Sequence, residues 1–233
     1  MRSKKVLKRV GLIILLFLAA AGIGFYLYTM DYYRAGSQGY AATEETKDYL
    51  IYGERDSTYG LIFYPGAKVE ERAYAPILSM IAEEGICCVL VKMPFHLAVL
   101  RPSAAEQVME EIPTVEQWYI GGHSLGGAMA ADYAASHDSF AGLILVAAYP
   151  TKPVILPVLS VYGSEDHVLN HEKYKSARSN ANSLKEHVIE GGNHAYFGDY
   201  GEQKGDGEAL ITKEEQWQET VDEVLAFILL KEM

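Results

Sequence analysis

The stretch Gly-Gly-His-Ser-Leu-Gly-Gly at positions 121–127 sets one serine hydroxyl among glycines. A hydroxyl becomes a useful nucleophile only when a base removes its proton, and the base needs an acid to orient it. Candidates for both follow Ser124 along the chain. "VLSVYGSEDHVLN" (158–170) carries Asp166, with Glu165 as the rival acid, and "VIEGGNHAYFG" (188–198) carries His194. The order Ser124, Asp166, His194 suits acyl transfer at the strand ends of an open α/β sheet. The oxyanion of such a reaction needs two backbone N–H donors. Leu125, directly after the nucleophile, supplies one, and Ala67, in the loop "FYPGAKVEE", is the choice for the other. His123 reads as structural, pointing away from Ser124 along the turn, and His167, His171 and His187 as solvated.

Chemistry of this kind needs a strand in front of the serine and a helix behind it, and "WYIGG" and "GGAMAADYAASH" provide them. The glycines relieve crowding where a strand turns sharply into a helix. The helix also aims its positive end at the hydroxyl. Further strands are expected at "YGLIFYPG" (59–66), "GICCVLVKMP" (85–94), "AGLILVAAYP", "PVLSVYG" and "EHVIEGG". Tyr74, Ile77, Leu78 and Ile81 repeat at helical spacing. Ser103 to Glu106 and Thr212 to Glu215 have the form of capping boxes. The second opens a helix with apolar positions Trp217, Val221, Val224, Leu225 and Ile228. Strands that are apolar throughout and alternate with helices imply a mostly parallel sheet covered on both faces, an α/β fold. Ligands of such sheets bind at the carboxyl ends of the strands. Cys87 and Cys88 fall within one of these buried strands and read as small core residues.

The N-terminus is organised differently. Arg2, Lys4, Lys5, Lys8 and Arg9 precede an uncharged run from Val10 to Met30. That run is long enough to cross a bilayer, and Tyr26, Tyr28, Tyr32 and Tyr33 cluster where an interfacial belt would lie. The expected organisation is therefore a cytoplasmic basic segment (1–9), a transmembrane anchor (10–30), a stalk (31–47) and one domain (48–233). The five cations orient the anchor so that the domain is exported on a single-pass membrane protein. Ala19-Ala20-Ala21 is the alternative, a cleavage site that would release a secreted form. Beyond the anchor, fifteen Lys and Arg face thirty-one Asp and Glu, a formal charge of −16. Such a surface disfavours nucleic acid and anionic headgroups as partners.

The elbow around Ser124, the "GSEDHVL" acid loop and the "GGNHAYFGDYG" histidine loop together resemble the α/β-hydrolases. The chain looks like the small lidless kind related to dienelactone hydrolases, α/β-hydrolase family 5, over residues 48–233. The resemblance implies a hydrolase fold without cofactor or metal, acting on a small ester or related acyl substrate. Dienelactone relatives carry cysteine where this chain has Ser124, which points to ordinary ester or amide chemistry. Pro65 stands where many members have histidine. Only "TKPVIL" separates Tyr149 from Pro157, too short for a helical lid, so specificity falls to loop residues, with Lys68, Lys92, Tyr196 and Phe197 as candidates. An amidase, peptidase or acyltransferase using the same residues stays open, as does a tethered binding module with a vestigial site.

Overall fold

The computed structural model describes residues 2–36 and 40–229. Met1, the side chains of residues 2–6, residues 37–39 of the expected stalk and residues 230–233 at the end of the expected domain lie outside that description. The chain divides into two units, residues 1–32 and 33–233.

The first unit is helix α1, Arg2–Met30. Within it Leu7–Met30 forms a span of 24 residues, about 36 Å at 1.5 Å per residue, long and apolar enough to cross a membrane. A signal sequence meets the same description.

The second unit is built on one sheet. Its strands are β1 (Glu44–Glu45), β2 (Tyr49–Tyr52), β3 (Tyr59–Tyr64), β4 (Cys87–Val91), β5 (Gln117–His123), β6 (Gly142–Val146), β7 (Val154–Gly163) and β8 (Ala181–Ile189). They lie in the order β1-β2-β4-β3-β5-β6-β7-β8. The β1–β2 and β2–β4 pairs are antiparallel and all others parallel. Side chains alternate across a strand, so β3 feeds two cores. Leu61 and Phe63 join one with Tyr74, Leu78 and Trp217; Ile62 and Tyr64 join the other with Ile120, Ala130 and Leu145. Helices α2 (Ala75–Glu83) and α6 (Lys213–Leu229) cover the first face. Helices α3 (Ala104–Glu111) and α4 (Leu125–Ala134) contribute to the second, and α5 (His171–Ala177) follows β7. Residues 147–153 lead from β6 to β7 without a helix.

Cys87 and Cys88 are buried thiols in β4, one on each core. The two expected capping boxes diverge. Thr212 and Glu215 exchange bonds, Glu215 N–H to Thr212 Oγ1 at 3.2 Å and Thr212 N–H to Glu215 Oε2 at 2.8 Å. Ser103 precedes α3 but caps it with no side-chain bond, because its backbone (φ −89°, ψ 15°) is already close to helical.

The segment set aside as a stalk also differs from expectation. Tyr33 forms a parallel bridge with Val69, and its ring packs on Tyr200 at 5.5 Å between centroids, so it belongs to the domain rather than to an interfacial belt. Glu44–Glu45 form the edge strand β1.

Candidate active site

Ser124 sits where β5 ends and α4 begins, with φ 53° and ψ −121°. Such a backbone is costly for any residue with a Cβ, about 1–3 kcal/mol, and persists only where its surroundings enforce it. Two contacts do so here. The Ser124 N–H donates to the Val146 carbonyl at the end of β6, 2.9 Å away. The first turn of α4 also lies against the end of β3: a Cβ on Gly126 would stand 2.2 Å from the Tyr64 oxygen and 2.3 Å from that of Pro65. The elbow is thereby pressed against the loop that carries Ala67. Among the described residues no hydrogen bond engages the N–H of Ala67 or of Leu125.

The acid loop follows β7 and the histidine loop follows β8, both at the carboxyl edge of the sheet. Asp166 is fully buried. Its Oδ1 accepts N–H bonds from Val168 at 2.9 Å and Leu169 at 2.8 Å. Its Oδ2 lies 2.8 Å from His194 Nδ1. Glu165 faces elsewhere and accepts from Ser164 Oγ. With Nδ1 committed to Asp166, the other ring nitrogen of His194, Nε2, is buried without a partner among the described residues. Ser124 and His194 line one cleft of about 270 Å³ with Leu125, Ala128, Ala148 and Leu169.

The sequence missed the setting of His123. Its ring packs on that of His194, 4.4 Å between centroids, so its structural role extends to the histidine loop. The Gly66 N–H donates to Tyr74 Oη at 3.0 Å, and Tyr74 Oη lies 2.8 Å from His123 Nδ1. A hydroxyl that already accepts has its proton left to give, which assigns His123 the Nε2–H tautomer. Burial holds the His123 imidazole well below its usual range, and the neighbouring His194 pushes the same way. The unfolded chain takes up a proton as pH falls through 6.5 and the native state does not, so stability is complete above that pH and declines below it. One proton gives a slope of at most about 1.4 kcal/mol per pH unit. Denaturant unfolding between pH 7.5 and 5 should reveal this loss, and His123→Gln should flatten the slope; equal slopes for both proteins would remove the assignment.

The expected specificity residues disperse. Phe197 is 0% exposed and packs on His123 at 5.9 Å between centroids, so it belongs to the core and has no surface to offer a substrate. Lys92 is held by Glu45 Oε1 at 2.6 Å and the Thr46 carbonyl at 2.7 Å, by the edge of the sheet. Tyr196 borders a separate polar cavity with Asn193, Glu202 and Asp206. Lys68, with φ 56°, directs its N–H to the His96 carbonyl at 2.8 Å. None of the four lines the cleft at Ser124. His171 and His187 are not simply solvated: His171 Nε2 lies 2.7 Å from the Asp166 carbonyl and His187 Nε2 2.6 Å from Glu219.

Comparison with known proteins bears on the fold that carries this site. The profile of the alpha/beta hydrolase family matches residues 60–218. No curated protein matches the chain. Among solved structures, the chain is similar to Est1E from Butyrivibrio proteoclasticus with ferulic acid bound (15% identity, TM-score 0.59, covering 76% of this chain and 93% of that one). It is also similar to esterase 2 from Thermogutta terrifontis (14% identity, TM-score 0.58, covering 84% and 95%). A predicted CIB-like hydrolase from Thermoplasma acidophilum is a third (18% identity, TM-score 0.58, covering 79% and 98%). At these identities the likeness establishes the fold.

Proposed function

Because the chain belongs to the alpha/beta hydrolase family, we propose that it is a serine hydrolase that cleaves small, neutral carboxylic esters through an acyl-enzyme. The observation that carries this reading is the cleft shared by Ser124 and His194, with the far nitrogen of His194 held by Asp166. In the proposed reaction Ser124 Oγ attacks the ester carbonyl while His194 Nε2 takes its proton. The oxyanion is received by the Leu125 and Ala67 N–H groups. Collapse breaks the bond to the alkoxy group, which leaves as the alcohol with the proton from His194. Water, deprotonated by the same nitrogen, then releases the acid and restores Ser124. The esterases among the structural neighbours agree with this chemistry.

Two features of the cleft select the substrate. About 270 Å³ falls below the roughly 300–1,000 Å³ of pockets that enclose drug-sized ligands. Its walls hold no Lys, Arg, Asp or Glu among the described residues, while Ala128, Ala148 and Leu169 make them apolar. A short neutral acyl group fits; a long chain would stay in water and a carboxylate would meet no counter-charge. A fluorophosphonate probe should therefore label Ser124, and kcat/KM on p-nitrophenyl esters should fall from butyrate to palmitate. Preference for palmitate would overturn the substrate reading, and failure of both labelling and turnover would overturn the reaction itself.

For the first unit we propose a membrane tether whose basic end stays in the cytoplasm, placing the hydrolase outside. The charge pattern Arg2 to Arg9 and the 24-residue apolar span support it.

A further inference from the structure

The segment from Tyr33 to Gly36 runs between two loops that hold the proposed chemistry and is bonded to both. On one side, the Tyr33 N–H donates to the Lys68 carbonyl at 2.7 Å, and the Tyr33 carbonyl accepts from the Glu70 N–H at 2.8 Å. The Ala35 N–H adds a bond to Glu70 Oε2 at 3.0 Å. This grips the chain one residue beyond Ala67. On the other side, the Gly36 N–H donates to the Asp199 carbonyl at 2.6 Å. The Tyr33 ring lies on Tyr200, and its hydroxyl accepts from the Lys204 N–H at 3.2 Å. Asp199 and Tyr200 follow His194 through the single turn Ala195–Phe197.

The approach at Gly36 is close. A Cβ there would stand 2.2 Å from Asp199 Oδ2, whose partner oxygen already accepts from Lys213 Nζ at 2.6 Å. A side chain at this position would therefore turn the Asp199 carboxylate away from Lys213.

Resting on the hydrolase reading above, we infer that Tyr33–Gly36 is a positioning strap that fixes the Ala67 donor and the His194 base relative to each other. The two groups stand on loops after different strands, β3 and β8, which lie at separated places in the sheet. Loops of this kind open locally at little cost unless something ties them. Oxyanion donor and base must both meet one reacting carbonyl, and a misplacement of 1 Å is enough to cost about 10²-fold in rate. A segment bonded to both loops removes their independent motion. Cleavage after Ala21 would leave this strap on the released protein, so tethered and secreted forms would share it.

The test uses the full-length chain in detergent, with a p-nitrophenyl butyrate assay and melting curves. Tyr33→Ala and Gly36→Ala should each lower kcat by about 10²-fold with KM at the wild-type value, and probe labelling of Ser124 should slow with kcat. Tyr33→Phe keeps the ring and deletes only the acceptor for Lys204. It should lower kcat by a smaller factor at unchanged KM, and it decides the matter should the other two fail to fold. Ile112→Val, in the core on the opposite face of the sheet, provides the comparison: it should lower the melting temperature and leave kcat alone. If the strap variants keep wild-type kcat, or lose it only in step with the folded fraction, the segment is packing and the inference is overturned. Absence of turnover and of labelling in the wild type would instead overturn the hydrolase reading, a result read on the unmodified chain.

Discussion

Ser124→Ala is expected to lower kcat for a short neutral ester by about 10⁶-fold, the scale on which loss of a serine nucleophile acts when its partners work as one unit. The protein should stay folded, because alanine keeps the Cβ and the backbone N–H that donates to Val146. Ser124→Gly separates the two roles of this position. It should be equally inactive, yet gain about 1 kcal/mol, because glycine adopts φ 53°, ψ −121° without the strain a Cβ imposes. Glycine's greater freedom in the unfolded chain keeps the gain at the low end of that range. For a domain of this size the melting temperature should rise by about 2–4 °C. Kinetics and calorimetry on the three proteins check both halves. Substantial turnover by Ser124→Ala would remove the nucleophile, and a lower melting temperature for Ser124→Gly would remove the strain.

Asp166→Asn should cut kcat/KM by about 10⁴-fold with the fold intact. Asparagine can keep its carbonyl oxygen toward the Val168 and Leu169 N–H groups, which are bonded to Asp166 Oδ1. Its amide NH₂ then faces His194 Nδ1, where the native carboxylate oxygen stands at 2.8 Å. Two donors cannot face each other, so the imidazole proton moves to Nε2, the nitrogen that must accept from Ser124. The base is lost through its tautomer. Glu165→Gln should change little, since Glu165 is bonded to Ser164 and not to His194. Stopped-flow or steady-state assays of the two variants, with circular dichroism to establish folding, are sufficient. A crippling Glu165→Gln beside a mild Asp166→Asn would mean that the acid had been misassigned.

What was legible in the sequence was local. The strand, turn and helix around Ser124 are written in consecutive residues, because a sharp turn can be made only by chain that is contiguous there. The same holds for the buried strands β3, β4 and β6, whose unbroken apolar runs have one stable destination in a covered sheet, and for the reciprocal Thr212–Glu215 cap. The proposed serine, acid and histidine were also visible as candidates, since each stands at or shortly after the end of a strand. Tertiary structure decided whatever depends on residues far apart in the chain. Phe197 and Tyr196 are neighbours in a loop, yet one lies in the core beneath His123 and the other at a separate cavity. Lys92 follows a strand that ends at the site's edge of the sheet, but Glu45, 47 positions earlier, claims its ammonium. Tyr33 sits among tyrosines that suggest a membrane interface, and only the meeting of the loops after β3 and β8 gives it a place in the domain. Asp166 and Glu165 differ by one position and one methylene. It took the folded acid loop, turning Asp166 inward onto two N–H groups and His194, to separate them. Periodicity reports which side of an element is apolar, but it does not report which other element arrives there, and at this site that arrival determines which side chains meet.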